Sequence, residues 1–175
     1  MNEAVAAGAR SSPSLSPAAA ARLIAMLLPL ALLAGAFGSQ YFGGLYPCEM
    51  CWWQRYAHMV AIVPAALAFT APADSSRSRI LALLAALAIA TSGAIGVYHA
   101  GVEAKIFEGF TTCTATVQGG GSTADLLKQI MHAPLVRCDQ VQWSFLGISM
   151  AGWNGIISLT GAATILVLLA KAARR

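Results

Sequence analysis

Twenty consecutive residues, Leu23 to Phe42, carry no charge. At about 1.5 Å per helical residue such a run crosses the ~30 Å hydrocarbon core of a bilayer. Inside lipid every backbone polar group needs an internal partner, so the run must be helical. Ile80–Tyr98 and Ile148–Ala170 are two more spans of this kind. The remaining apolar run, Met59–Ala71, is too short to cross alone, so the turns holding Gln54, Arg55 and His58 must complete that crossing. The chain is 58% hydrophobic and 10% charged, against roughly 25% charged for a soluble domain. The expected fold is an all-α membrane protein: a four-helix transmembrane bundle with spans at about 23–42, 52–71, 80–98 and 148–170.

The rest of the chain fits around those spans. Residues 1–22, rich in Ala, Ser and Pro, read as a disordered tail, and residues 171–175 as a short basic one. Residues 99–147 form a long outer loop in which Leu126, Leu127, Ile130 and Met131 share one face of a short amphipathic helix, Thr123–Met131, suited to the bilayer surface. Pro64 is expected to kink the second span. Ala31, Gly35 and Ser39, Ser92 and Gly96, and Gly152, Gly155 and Ser158 are small residues placed for close helix contact. A signal peptide ending near Ala34-Gly35-Ala36 is a rival reading of the first run, but its cleavage would leave three spans and upset the charge asymmetry.

That asymmetry sets the orientation. With four spans, Arg10, Arg22, Arg77, Arg79, Lys171, Arg174 and Arg175 share one side, while Arg55, Lys105, Lys128 and Arg137 lie on the other. Basic loops stay cytoplasmic, so both termini are expected inside. All four cysteines then face the outer, oxidising side, where disulfides form and persist. The net charge of +4 does not indicate nucleic acid, because the bases are scattered through an apolar chain.

The chemistry gathers at Tyr46-Pro47-Cys48-Glu49-Met50-Cys51-Trp52-Trp53-Gln54-Arg55. Pro47 suits the first turn of a helix, and the cysteines of this C-x-x-C pair lie within disulfide reach. The helix N-terminus favours thiolate, and Arg55, four residues after Cys51, adds a permanent positive charge on the same face. Haem attachment needs His where Trp52 stands, and zinc needs further ligands at a compatible spacing. A static staple across so small a loop removes little unfolded-state entropy. An ionisable residue at membrane depth marks a functional site. His58 and His99 lie near the same level, with packing or interfacial solvation as their ordinary roles; the four tryptophans suit an aromatic belt.

Three blocks carry a family resemblance: Pro47-Cys48-x-x-Cys51-x-x-Gln54-Arg55; Tyr98-His99-Ala100-Gly101-Val102-Glu103; and Cys138-Asp139-Gln140-Val141 followed by Trp143, Phe145 to Ala151, and Trp153-Asn154. Together with the span order they resemble the DsbB family of bacterial inner-membrane disulfide-forming proteins, over roughly residues 23–170. The resemblance implies a redox relay and its cofactor. A reduced, periplasmic, DsbA-like thioredoxin-fold protein attacks a Cys113–Cys138 disulfide at Cys113. Cys138 then attacks Cys48. Cys51 reduces ubiquinone or menaquinone held beside Arg55, with His99 lining the quinone site. Two alternatives compete with that reading. One is a structural membrane protein whose two disulfides only staple its loops; the other is a thiol relay running in the reducing direction, which needs cytoplasmic thiols.

Overall fold

The computed structural model describes residues 15–109, 122–124, 127 and 136–174. Cys113, most of the Thr123–Met131 segment and the first fourteen residues of the expected tail lie outside the described residues. Among the described residues there are four long helices: α1 (Pro17–Tyr41), α2 (Glu49–Leu67), α3 (Ser76–Glu103) and α4 (Met150–Ala173). Three of them, α1, α3 and α4, are long and apolar enough to cross a membrane. The all-helical expectation is met, apart from a small hairpin of strands β1 (Ser144–Phe145) and β2 (Ile148–Ser149).

The helix ends correct several sequence expectations. Helix α1 starts at Pro17, so residues 17–22, read as tail, are helical. Ser16 accepts a hydrogen bond from the Ala19 N–H at 3.2 Å, and proline suits the first helical position. Helix α3 starts at Ser76, within the expected polar link, because Ser75 caps it in the same way. It continues to Glu103 and carries His99, which was expected just beyond the span. There the Lys105 N–H bonds the Val102 carbonyl and the Ile106 N–H the Gly101 carbonyl, a Schellman turn with Lys105 at φ 60°. Helix α2 runs past Pro64 and tightens into a 3-10 turn, Ala68–Thr70.

Ile148 and Ser149, expected to open the last span, instead form β2. Leu146 (φ 52°) and Gly147 (φ 77°) make the two-residue reversal, with Phe145 paired to Ile148. Ser149 then caps α4 by accepting from the Gly152 N–H, and Trp153 Nε1 donates to the Phe145 carbonyl. The Phe145–Ala151 block is therefore the device that starts α4.

The four helices pack around two different centres. Ala21, Ala25, Ala61, Ala65, Ala85, Ala86 and Ala162 close around Ile89 and Ile165. Toward the other end, the backbones of α3 and α4 nearly touch: a Cβ on Gly96 would lie 2.9 Å from both Ala151 O and Gly155 N. The expected close contact at Gly35 is not found, since nothing lies within 4 Å of a Cβ there. Large apolar side chains such as Leu27, Val60, Leu84, Leu87 and Val167 point outward on all four helices. An all-round apolar exterior over a small-residue interior is the arrangement suited to lipid.

Candidate active site

The second centre is built on the start of α2. Cys48 is its N-cap, with Pro47 one residue before the cap rather than in the first turn. The Cys48 sulfur takes the place of a capping oxygen, accepting from the Cys51 N–H at 3.3 Å. Cys48 Sγ and Cys51 Sγ are 2.9 Å apart, so the pair is placed for thiol–disulfide chemistry.

Beyond that turn, Gln54, Arg55 and His58 face inward from α2 and are buried. Arg55 donates to Gln40 Oε1 and, at 3.0 Å, to the Ala36 carbonyl of α1. Its guanidinium lies 4.9 Å from the Phe37 ring centre and 5.1 Å from that of Trp52. Among the described residues no carboxylate pairs with it. Arginine cannot shed its proton at ordinary pH, so its charge remains available to an electron-rich group beside it.

A cavity of about 590 Å³ opens between α1, α2 and α4, with the end of α3 contributing His99 and Glu103. Cys48, Cys51, Arg55 and His58 line it from α2, and Ala31, Gly35, Ala36 and Ser39 from α1. Gly35, read as a helix-contact position, thus leaves room instead, while Ser39 borders the cavity and also reaches Met150 of α4. The walls are mostly apolar with a few polar groups converging on one region, the usual character of a site for a small organic ligand.

Cys138, ninety residues from Cys48 in sequence, is brought against it. Cys48 Sγ, a His99 ring nitrogen and Cys138 Sγ lie within 4.8 Å of one another, all three buried. His99 Nε2 is 3.5 Å from Cys48 Sγ and 3.2 Å from the Cys138 carbonyl. His99, expected to line a quinone site, borders the cavity and also joins the two cysteine segments. Two thiols and an imidazole are also a donor set for a soft metal ion, with only three ligands in the described residues. Asp139 fastens the Cys138 segment, pairing with Lys105 Nζ at 2.6 Å and with Arg137 at 2.8 Å. The Arg137 guanidinium, and then the Lys105 ammonium, hold the Asp139 carboxyl well below the usual carboxylate range.

Sequence reading missed the polar girdle that supports these groups. Asn154 Nδ2 donates to Gln54 Oε1 at 2.8 Å and to the Ser92 carbonyl at 3.2 Å. Gln54 Nε2 donates to the Met50 carbonyl and meets His99 Nδ1 at 3.0 Å. Ser92 Oγ donates to the Gln54 carbonyl at 3.0 Å. The available signal was polarity itself: Gln54, Ser92, Asn154 and Ser158 interrupt otherwise apolar helices, and such groups must find partners inside. Glu103, quoted only as part of a motif, holds its side chain 3.9 Å from His99 Nε2, and the residue is half-buried.

Comparison with known proteins places this arrangement. Residues 18–168 match the family model described as "Disulfide bond formation protein DsbB". A protein named Disulfide bond formation protein B from Polaromonas naphthalenivorans is 30% identical over 151 residues, covering 83% of this chain and 87% of its own. One of the same name from Acinetobacter baylyi is 29% identical over 144 residues, covering 76% and 81%. A third, from Marinobacter nauticus, is 26% identical over 141 residues, covering 76% and 80%. No solved structure matches. With a match over most of its length, relatives that share its span and a C-x-x-C turn at the edge of an apolar bundle, the chain is a multi-pass membrane protein of the DsbB family of disulfide bond formation proteins.

Proposed function

We propose that the protein is a thiol–quinone oxidoreductase of the bacterial inner membrane, which generates disulfides and passes them to a periplasmic DsbA-like thioredoxin-fold protein. The observation that carries the reading is the meeting of Cys138 with Cys48 while Cys51, in the same turn, stands on the wall of the cavity beside Arg55. In the oxidised protein the pairs are Cys48–Cys51 and Cys113–Cys138. The carrier's thiolate attacks Cys113 and frees Cys138. Cys138 then attacks Cys48, forming an S–S bond between them and breaking the one to Cys51. Cys51 leaves as thiolate, stabilised by the helix N-terminus and by Arg55. His99, touching both Cys48 and the Cys138 carbonyl, holds the attacking and attacked segments together.

Ubiquinone or menaquinone suits the cavity: Arg55 offers fixed N–H donors at its edge and small residues of α1 leave space along an apolar wall. When bound, the quinone supplies a two-electron, two-proton acceptor for the dithiol. Helix α2, with the 3-10 turn that prolongs it, serves as the fourth span. Both termini lie in the cytoplasm, following the seven basic residues assigned to that side, and the cysteines face the periplasm.

The test is quinone reduction by the purified protein in detergent, driven by a reduced thioredoxin-fold dithiol. Wild type turns over, Cys51→Ala falls to background, and Arg55→Ala slows by about 10²-fold or more, as for loss of a preorganised charge. If all three match background while the cysteines stay stably paired, the stapled structural protein is the better reading.

A further inference from the structure

Two buried polar atoms on residues that line the cavity, Glu103 Oε2 and His58 Nδ1, have no hydrogen-bond partner among the described residues, and the second has a determinable tautomer. His58 lines the cavity and is 3% exposed, and its Nδ1 is buried with no hydrogen-bond partner among the described residues. Its other ring nitrogen, Nε2, lies 2.9 Å from Asn154 Oδ1 and 3.4 Å from Ser158 Oγ.

The neighbours fix which nitrogen carries the hydrogen. The Ser92 carbonyl can only accept, so the Asn154 atom facing it at 3.2 Å is the amide nitrogen. Gln54 Oε1 takes the second hydrogen of that amide. Asn154 therefore presents its oxygen to His58, and Ser158 Oγ donates to the same oxygen at 3.1 Å. An amide oxygen only accepts, so His58 Nε2 carries a hydrogen. The neutral ring then keeps a bare lone pair at Nδ1. A buried acceptor without a donor is costly, and a ligand hydroxyl relieves it.

We propose that His58 Nδ1 accepts a hydrogen bond from a hydroxyl of the reduced ligand, so that the cavity binds hydroquinone more tightly than quinone. The inference rests on the quinone reading above. A quinone has carbonyl oxygens, which only accept and gain nothing from a lone pair. A hydroquinone has O–H groups that donate. Arg55, a donor, precedes His58 by three residues on the same face of α2, so a donor and a buried acceptor lie about one helical turn apart on two residues that line the cavity. A tenfold preference for the reduced form makes the bound two-electron couple about 30 mV more oxidising. That favours withdrawal of electrons from the cysteines.

The test is a pair of binding titrations on the full-length protein in detergent, with a short-chain benzoquinone and its hydroquinone. Both use a Cys51→Ala background to prevent turnover. His58→Gln keeps a donor toward Asn154 and removes the cavity acceptor. His58→Asn places an amide oxygen near the Nδ1 position. The expected result is about a five- to tenfold loss of hydroquinone affinity in His58→Gln, within the range for one hydrogen bond. Quinone affinity changes less than twofold, and His58→Asn recovers part of the loss. Equal weakening of both forms, or of neither, overturns the proposal while leaving the quinone reading intact. Failure of the parent protein to bind either form overturns both. If the variants do not fold, ¹⁵N NMR of the histidine in the parent decides: a hydrogen on Nδ1 overturns the assignment, and a bare Nδ1 that gains a hydrogen bond only with hydroquinone supports it.

Discussion

The two ends of the bundle are held together by opposite means. At one end seven alanines close around Ile89 and Ile165. At the other, Gln54, His58, Ser92 and Ser158 are buried and joined through Asn154, with His99 attached by way of Gln54 and with Arg55 and a large cavity beside them. Lipid is as apolar as a helix surface, so the alanine end gains nothing from burying hydrocarbon as such; it relies on close van der Waals approach. The polar end depends instead on buried hydrogen bonds, in which each partner lost is costly. Stability and chemistry are thus separated along the bundle axis.

That separation is broken most severely by enlarging the alanine end. Ala85 is fully buried. Ala85→Leu adds three carbons to a closed contact and should cost about 1–3 kcal/mol of stability. The measurement is thermal unfolding in detergent. The comparison requires that, below the lowered midpoint, the apparent KM for quinone stays unchanged. A shifted KM with an unchanged midpoint would mean that the two ends are not separate.

Gly35→Ala is the complementary change and should do the reverse. A Cβ there meets nothing within 4 Å, and Gly35 lines the cavity. Replacing a mid-helix glycine with alanine removes a propensity penalty of up to about 1 kcal/mol, so the unfolding midpoint should hold or rise. The added methyl narrows the cavity, and on the proposed quinone reading the KM for quinone should rise by about tenfold, the low end of what one extra methylene costs in an apolar pocket. Gly96→Ala supplies the contrast: its Cβ would strike the backbone of α4, so it should lower the midpoint.

The contrast between Gly35 and Gly96 also shows where sequence reading stops. Both belong to small-residue patterns that permit close helix contact, and hydrophobic run length locates their helices well. Which small residue faces a neighbouring backbone and which faces open space depends on how the helices are rotated against each other, which periodicity does not fix. The C-x-x-C turn with Arg55 was legible because dipole, spacing and charge act within one helical turn. The meeting of Cys138 with Cys48 was open to sequence only through family resemblance, and the fastening of His99 between them was not read from the sequence at all. The Asn154–Gln54 pair joins positions a hundred residues apart and left only the mark of isolated polarity. The ends of α3 were misplaced for a local reason: Ser75 caps it early, and the Schellman turn at Lys105 lets it run past the apolar stretch to Glu103.

The smallest expected effect concerns the clasp over the polar end. Asp139, half-buried, holds the Cys138 segment through Arg137 and Lys105, both of them open to solvent. Because its carboxyl sits below the usual range when folded, the stabilisation is fully present above the ordinary carboxylate value of about 3.9. It is lost progressively as pH falls from there through the depressed folded value. Between pH 5 and 8 the clasp should therefore be flat with pH. Exposed pairs are weak and screened by salt, so Asp139→Asn should slow transfer between Cys138 and Cys48 by only about twofold at low ionic strength, and less at high salt. Rapid-quench thiol trapping of the interloop disulfide measures this directly. A large, salt-independent loss would mean that Asp139 acts inside the cysteine cluster rather than above it, and that the polar end extends further into the outer loop than its buried hydrogen bonds indicate.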